Sequence, residues 1–80
     1  MKNKIKIIYD NPRFCDRYTV YTHDIEHGEL FHCLSLSDNP DSPQGFSQWG
    51  IGRIGPHNGK EIIFKELPDN VQKHIESRLK

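Results

Sequence analysis

Asp16-Arg17-Tyr18-Thr19-Val20-Tyr21-Thr22-His23-Asp24-Ile25-Glu26-His27-Gly28-Glu29-Leu30-Phe31-His32-Cys33-Leu34-Ser35-Leu36-Ser37 is the stretch that decides the fold. Residues 16–24 and 29–37 are rich in Tyr, Thr, Val, Leu and Phe, which suit a pleated surface. Between them, Glu26-His27-Gly28 fits a three-residue hairpin loop with Gly28 in the left-handed position of a bulge. That loop pairs Ile25 with Glu29, Thr22 with His32, Val20 with Leu34 and Tyr18 with Leu36. Tyr18, Val20, Leu30, Leu34 and Leu36 then share one face, the core side. A loop one residue longer or shorter splits this apolar set between the two faces. The other face carries Tyr21, His23, Ile25, Phe31 and Cys33, an amphipathic group that is either covered by the rest of the chain or used for binding.

Upstream, Lys4-Ile5-Lys6-Ile7-Ile8-Tyr9 alternates polar and apolar and reads as a strand, broken by Asp10-Asn11-Pro12. Downstream, residues 38–59 hold most of the Gly and Pro, a long connection for a compact domain and therefore a place to look for function or short elements. A helical turn is expected over residues 43–49. A short strand at 51–54 is expected to turn at His57-Asn58-Gly59 into a strand at 60–65. The spacing predicts a helix over 68–79, with Pro68 at its first position and Asp69 and Asn70 in its first turn. Leu67, Val71, Ile75 and Leu79 recur every four residues and make one apolar stripe. The expectation is an α+β fold: an antiparallel sheet of three to four strands with one C-terminal helix packed on one face, all in a single domain.

The chain has 80 residues, 34% of them hydrophobic and 28% charged, which allows one small core. Lys plus Arg and Asp plus Glu each total 11, a formal net charge of zero. That balance speaks against nucleic-acid or anionic-membrane binding, which rest on accumulated positive charge. The charge is unevenly placed: residues 23–42 contain Asp24, Glu26, Glu29, Asp38 and Asp41 and no Lys or Arg. No apolar run approaches membrane length, and no apolar stretch follows Lys2, Lys4 and Lys6 as a signal peptide requires. A cytoplasmic location with reduced thiols is expected. On the hairpin register, Cys15 lies roughly 20 Å from Cys33 at ~3.3 Å per residue, too far for a disulfide.

Gly50-Ile51-Gly52-Arg53-Ile54-Gly55 spells the G-x-G-x-x-G of a dinucleotide loop, but Pro56 and Asn58-Gly59 stand where its helix must begin. His23 and Cys33 become diagonal neighbours on one sheet face, with His32 close by in sequence. They are the residues on which a small metal- or thiol-dependent enzyme would depend. A closed metal site needs four ligands at usable spacing, which these do not supply, so no metal or cofactor is expected. Ser35, Ser37, Ser42 and Ser47 lie near histidines in sequence. Gly45-Phe46-Ser47-Gln48-Trp49, however, lacks the final glycine and the strand–turn–helix context of a nucleophile elbow, and no catalytic residue is assigned. Phe46 and Trp49 join Tyr21 and Phe31 as an aromatic group. If the loop folds over the second sheet face, Phe46 and Trp49 cap it as core. If it does not, Phe46, Trp49 and Arg53 are residue types that anchor protein interfaces.

Asp16-Arg17-Tyr18-Thr19-Val20, Ser37-Asp38-Asn39-Pro40-x-x-Pro43-Gln44-Gly45-Phe46-x-Gln48 and Gly59-Lys60-x-Ile62-x-Phe64-x-x-Leu67-Pro68-x-x-x-Gln72 carry a resemblance. In these motifs the chain resembles a group of short uncharacterised bacterial and phage-associated proteins. The resemblance covers roughly residues 16–75 and implies no activity, cofactor or partner, only the company of small accessory or inhibitory proteins. Asp16 and Arg17 are expected to pair as ions, and the Ser-Asp-Asn-Pro segment to form an Asx-type turn. The functional expectation is a non-catalytic protein-binding module, monomeric or homodimeric. Its expected contact surface is Tyr21, His23, Phe31, Phe46, Trp49 and Arg53.

Overall fold

The structure is a computed structural model that describes residues 4–79. Strand β1 (Ile5–Asp10) is followed by β2 (Tyr18–His27), β3 (Leu30–Leu36), β4 (Ser47–Arg53) and β5 (Lys60–Ile62), and helix α1 (Asp69–Arg78) ends the described chain. The five strands form one sheet in the order β4-β3-β2-β1-β5, with every neighbouring pair antiparallel. The α+β class stands, with five strands where three to four were expected.

Strand β4 begins four residues before the short strand expected over 51–54. Residues 43–49 were expected to hold a helical turn, yet Ser47–Arg53 is extended along its whole length against β3, from Leu36↔Ser47 to Leu30↔Arg53. Gly50 and Gly52 weaken any helix there, and β3 offers a complete partner. Nor do β4 and β5 form a hairpin, since they lie at opposite edges of the sheet. Residues 54–59 instead cross one face as a strap. The strand expected over 60–65 is short because β5 stops at Ile62 and a 3-10 turn, Phe64–Glu66, leads into α1. Glu66 Oε2 accepts the Ile63 N–H at 2.8 Å and holds that turn.

The β2–β3 register agrees with the sequence reading where the core demands it: Tyr18↔Leu36 and Val20↔Leu34. The tip differs. Ile25 opposes Phe31, not Glu29, and His27 opposes Leu30. From His27 to Tyr21, β2 advances six residues while β3 advances three from Leu30 to Cys33, so bulges on β2 absorb the difference. Thr22, Asp24 and Glu26 lie in the bulged stretch, where slipping the register costs no apolar burial.

One sheet face meets α1. Ile8, Tyr18, Val20, Leu34 and Leu36 pack there with Leu67, Val71, Ile75 and Leu79, and all nine are buried. Leu30, placed on this face by the sequence, is half-buried and outside that cluster. Tyr9, Tyr21 and Cys33 form a second core on the other face, with Ile7, Phe31 and Ile54 packed around them. The strap covers it. The Tyr21 hydroxyl lies 3.1 Å from the Arg53 carbonyl oxygen and 3.0 Å from Asn58 Oδ1, and shares its one proton between them. Asn58 Nδ2 donates to the Arg53 and Gly55 carbonyls at 2.9 and 3.0 Å. At the strap's end Gly59 has φ +118°, and a Cβ there would sit 2.5 Å from the Asp10 carbonyl oxygen, so only glycine fits without strain.

Arg17 pairs with Asp10 at 2.7 Å, not with Asp16 as expected, because the turn between β1 and β2 places those two side by side. Cys15 is exposed and Cys33 buried, both as free thiols.

Candidate functional site

Strand β4 is an edge strand, and its phase is fixed by one bond. The Ser37 N–H donates to the Phe46 carbonyl at 2.8 Å, making 37 and 46 a hydrogen-bonded pair. Alternation along an antiparallel ladder then turns the N–H and C=O of Gln48, Gly50 and Gly52 inward to β3, and those of Ser47, Trp49, Ile51 and Arg53 outward. Trp49 stands opposite Leu34, so its side chain shares the face covered by α1. Ile51 is 51% exposed and Trp49 and Phe46 are each 37% exposed.

Beside Trp49 opens a groove of ≈ 350 Å³, bounded by Thr22, His23 and Asp24 of the β2 bulge and by Arg78 and Leu79 at the end of α1. Lys4 also lines it and donates from Nζ to the Leu79 carbonyl at 2.7 Å, closing the helix end.

At the other end of β4 the loop 37–46 is fastened to α1. The Phe46 N–H donates to Ser37 Oγ at 2.9 Å, and the Gln44 N–H to Ser42 Oγ at 3.2 Å. The serine hydroxyls therefore hold the loop where an Asx-type turn was expected. Asn70 Nδ2 donates to the Asp38 carbonyl at 3.1 Å. One helical turn on, His74 Nδ1 lies 2.8 Å from Asp41 Oδ1, and His74 Nε2 lies 2.8 Å from Ser47 Oγ. A carboxylate only accepts, so Nδ1 carries the proton of the neutral ring, and the bare Nε2 accepts from the Ser47 hydroxyl. The His74 side chain is 10% exposed and that of Asp41 65%. Ser47, His74 and Asp41 thus form one hydrogen-bonded chain between β4, α1 and the loop.

The sequence-derived surface divides. His23 and Trp49 meet at the groove, with Phe46 before β4 and Arg53 at its end. Arg53 Nε is 3.8 Å from Glu29 Oε2, and both side chains are exposed. Tyr21 is buried on the opposite face, where its hydroxyl holds the strap, and Phe31 is half-buried there under the Lys6 ammonium, 5.5 Å from its ring centre. The β2 bulge carries His23 to the groove, while Cys33 lies in the strap-face core, so these two are not brought together. Burial pushes the Cys33 thiol up, against an opposing hydrogen bond with Ser35. His32 Nε2 instead faces Glu26 Oε2 at 2.7 Å. Among the described residues no three His, Cys, Asp or Glu side chains are grouped to hold a metal ion.

His74 was missed by sequence reasoning. It sits next to the apolar stripe, four residues after Asn70, the one local sign that this flank of α1 grips something. The glycines of the G-x-G-x-x-G spelling fall on β4 and the strap, ahead of a 3-10 turn at Pro56–Asn58. Among the described residues no helix is long and apolar enough to cross a membrane. Compared with models of known families, with curated proteins and with solved structures, the chain matches none.

Proposed function

We propose that the protein is a small protein-binding module, accessory or inhibitory in role and at work in a bacterial or phage-infected cytoplasm, that takes an extended segment of its partner along β4. The supporting observation is the outward half of β4: four residues, Ser47, Trp49, Ile51 and Arg53, turn their backbone groups away from β3. Charge is absent from this edge until Arg53. Long uncharged edges of this kind template strand addition, where main-chain bonds give affinity and alternate side chains give selectivity. Trp49, Ile51 and the adjoining groove select apolar side chains at every second position of the incoming chain. The neutral net charge agrees with a protein partner better than with nucleic acid.

Peptides selected on the immobilised protein from a random display library test this directly. Enriched sequences are expected to alternate apolar residues and to bind Ile51→Pro at least ~10-fold more weakly, because that substitution deletes an outward N–H. Equal binding by Ile51→Pro, or loss of binding through Phe31→Ala alone, would overturn the assignment to this edge. Light scattering in parallel shows whether a second copy competes for the same edge.

A further inference from the structure

We infer that Ser47 is a nucleophile toward carboxylic esters, with His74 as its general base and Asp41 as the residue that orients His74. This goes beyond the binding reading, does not depend on it, and departs from the expectation of a non-catalytic chain. The warrant is geometric. Both links of the chain measure 2.8 Å, each through the ring nitrogen that the chemistry requires. With Nδ1 facing a carboxylate, the neutral ring has its lone pair on Nε2, aimed at Oγ. The His74 side chain is nearly enclosed between α1, the loop and β4.

The surroundings supply two further parts. The N–H of Ser47 points outward from the sheet edge, free of the β3 ladder, and is a backbone donor on the nucleophile's own residue that can face the developing oxyanion. Trp49 follows two residues along on the same side of the strand, and gives an apolar acyl or alkyl group a surface to lie on. In the reaction Ser47 Oγ bonds to the ester carbonyl carbon while its proton passes to His74 Nε2. The bond from that carbon to the alkoxy oxygen then breaks, and the departing alcohol takes the proton from Nε2. Water repeats the sequence on the acyl-serine, returning Ser47 and releasing the carboxylic acid.

The folded protein treated with an alkyl fluorophosphonate, followed by intact-mass measurement and peptide mapping, tests the assignment. One adduct is expected, on Ser47, with none on Ser47→Ala. Labelling of His74→Asn is expected to be slower by about 10²-fold or more, the usual share of a general base. Asp41→Asn, at an exposed position, serves as the second variant if His74→Asn unfolds, and is expected to slow labelling with circular dichroism unchanged. Hydrolysis of p-nitrophenyl acetate is expected to fall in parallel. An unlabelled protein, under conditions that fully label a known serine esterase, would overturn the inference. So would equal labelling of Ser47→Ala, or wild-type rates in folded His74 and Asp41 variants.

Discussion

The two edges of the sheet are built in opposite ways. β5 has three residues, two of them Lys60 and Glu61, and the chain leaves it at once into a 3-10 turn. A short, charged, quickly terminated strand offers an incoming chain little to pair with. β4 has seven residues, reaches its first charge at Arg53, and exposes Trp49 and Ile51. Such an edge is a hazard unless it is used. One sheet guards one edge and leaves the other open. Of the residues named from sequence, His23, Phe46, Trp49 and Arg53 lie at or beside the open edge, while Tyr21 and Phe31 lie on the strap face.

Breaking that comparison requires testing the phase of β4. The N–H of Gly50 points inward to Cys33, whereas that of Ile51 points out. Gly50→Pro therefore removes a ladder bond and leaves an acceptor on β3 unpaired, an expected loss of about 2–3 kcal/mol. Ile51→Pro is expected to cost about 1 kcal/mol or less. Urea denaturation of both variants checks the difference, and equal losses would mean that the phase is wrong. At the β5 edge, Gly59→Ala meets both a positive φ and the Asp10 carbonyl, and is expected to cost about 1–3 kcal/mol in the same assay. A near-neutral result there would mean that the strap does not press on β1.

Much of this architecture was legible because it is local. Period-two alternation placed β1, β2 and β3, and the four-residue stripe from Leu67 to Leu79 placed α1. The register at Tyr18↔Leu36 followed from the apolar set, which tolerates no slip. The hairpin tip did not follow, because polar residues there fit either face and so fix no register. The crossing of residues 54–59 was hidden as well: neighbouring strands suggest a hairpin, and nothing local tells β5 to pair with β1. The same holds for the site. Trp49 and His23 could be named but not placed, and the Ser47–His74–Asp41 chain joins residues 27 and 33 positions apart that share no motif.

The strap face supplies a smaller effect with a pH signature. Tyr21→Phe deletes a hydroxyl that holds residues 53 and 58, an expected loss of about 1 kcal/mol at neutral pH. Burial pushes the Tyr21 phenol up, and the Cys33 thiol adds to the rise. A folded-state pKa raised above the unfolded one contributes stability that is complete below the ordinary tyrosine value near 10 and is lost as pH rises through the folded value. Wild-type stability is therefore expected to fall above about pH 10, and the gap to Tyr21→Phe to narrow over the same range. Thermal melts of both proteins between neutral and alkaline pH check this. A gap that widens would mean that the phenol is ionised more readily in the folded protein.

The smallest change in stability is expected to have the largest consequence for binding. Ile51 is half exposed, stands opposite His32, and belongs to neither core cluster, so Ile51→Lys is expected to alter the folding free energy by within ~0.5 kcal/mol. A lysine in the middle of β4 would copy the protection that Lys60 gives β5, forcing any added strand to bury or displace a charge. Binding of selected peptides is expected to fall at least ~10-fold in isothermal titration, while urea midpoints stay together. Glu61→Ile is the reciprocal change, and it is expected to create no binding at β5, because three residues are too short to hold an added strand. If Ile51→Lys binds as wild type does, then the open edge is not the contact surface, and strand length rather than charge is all that separates the two edges.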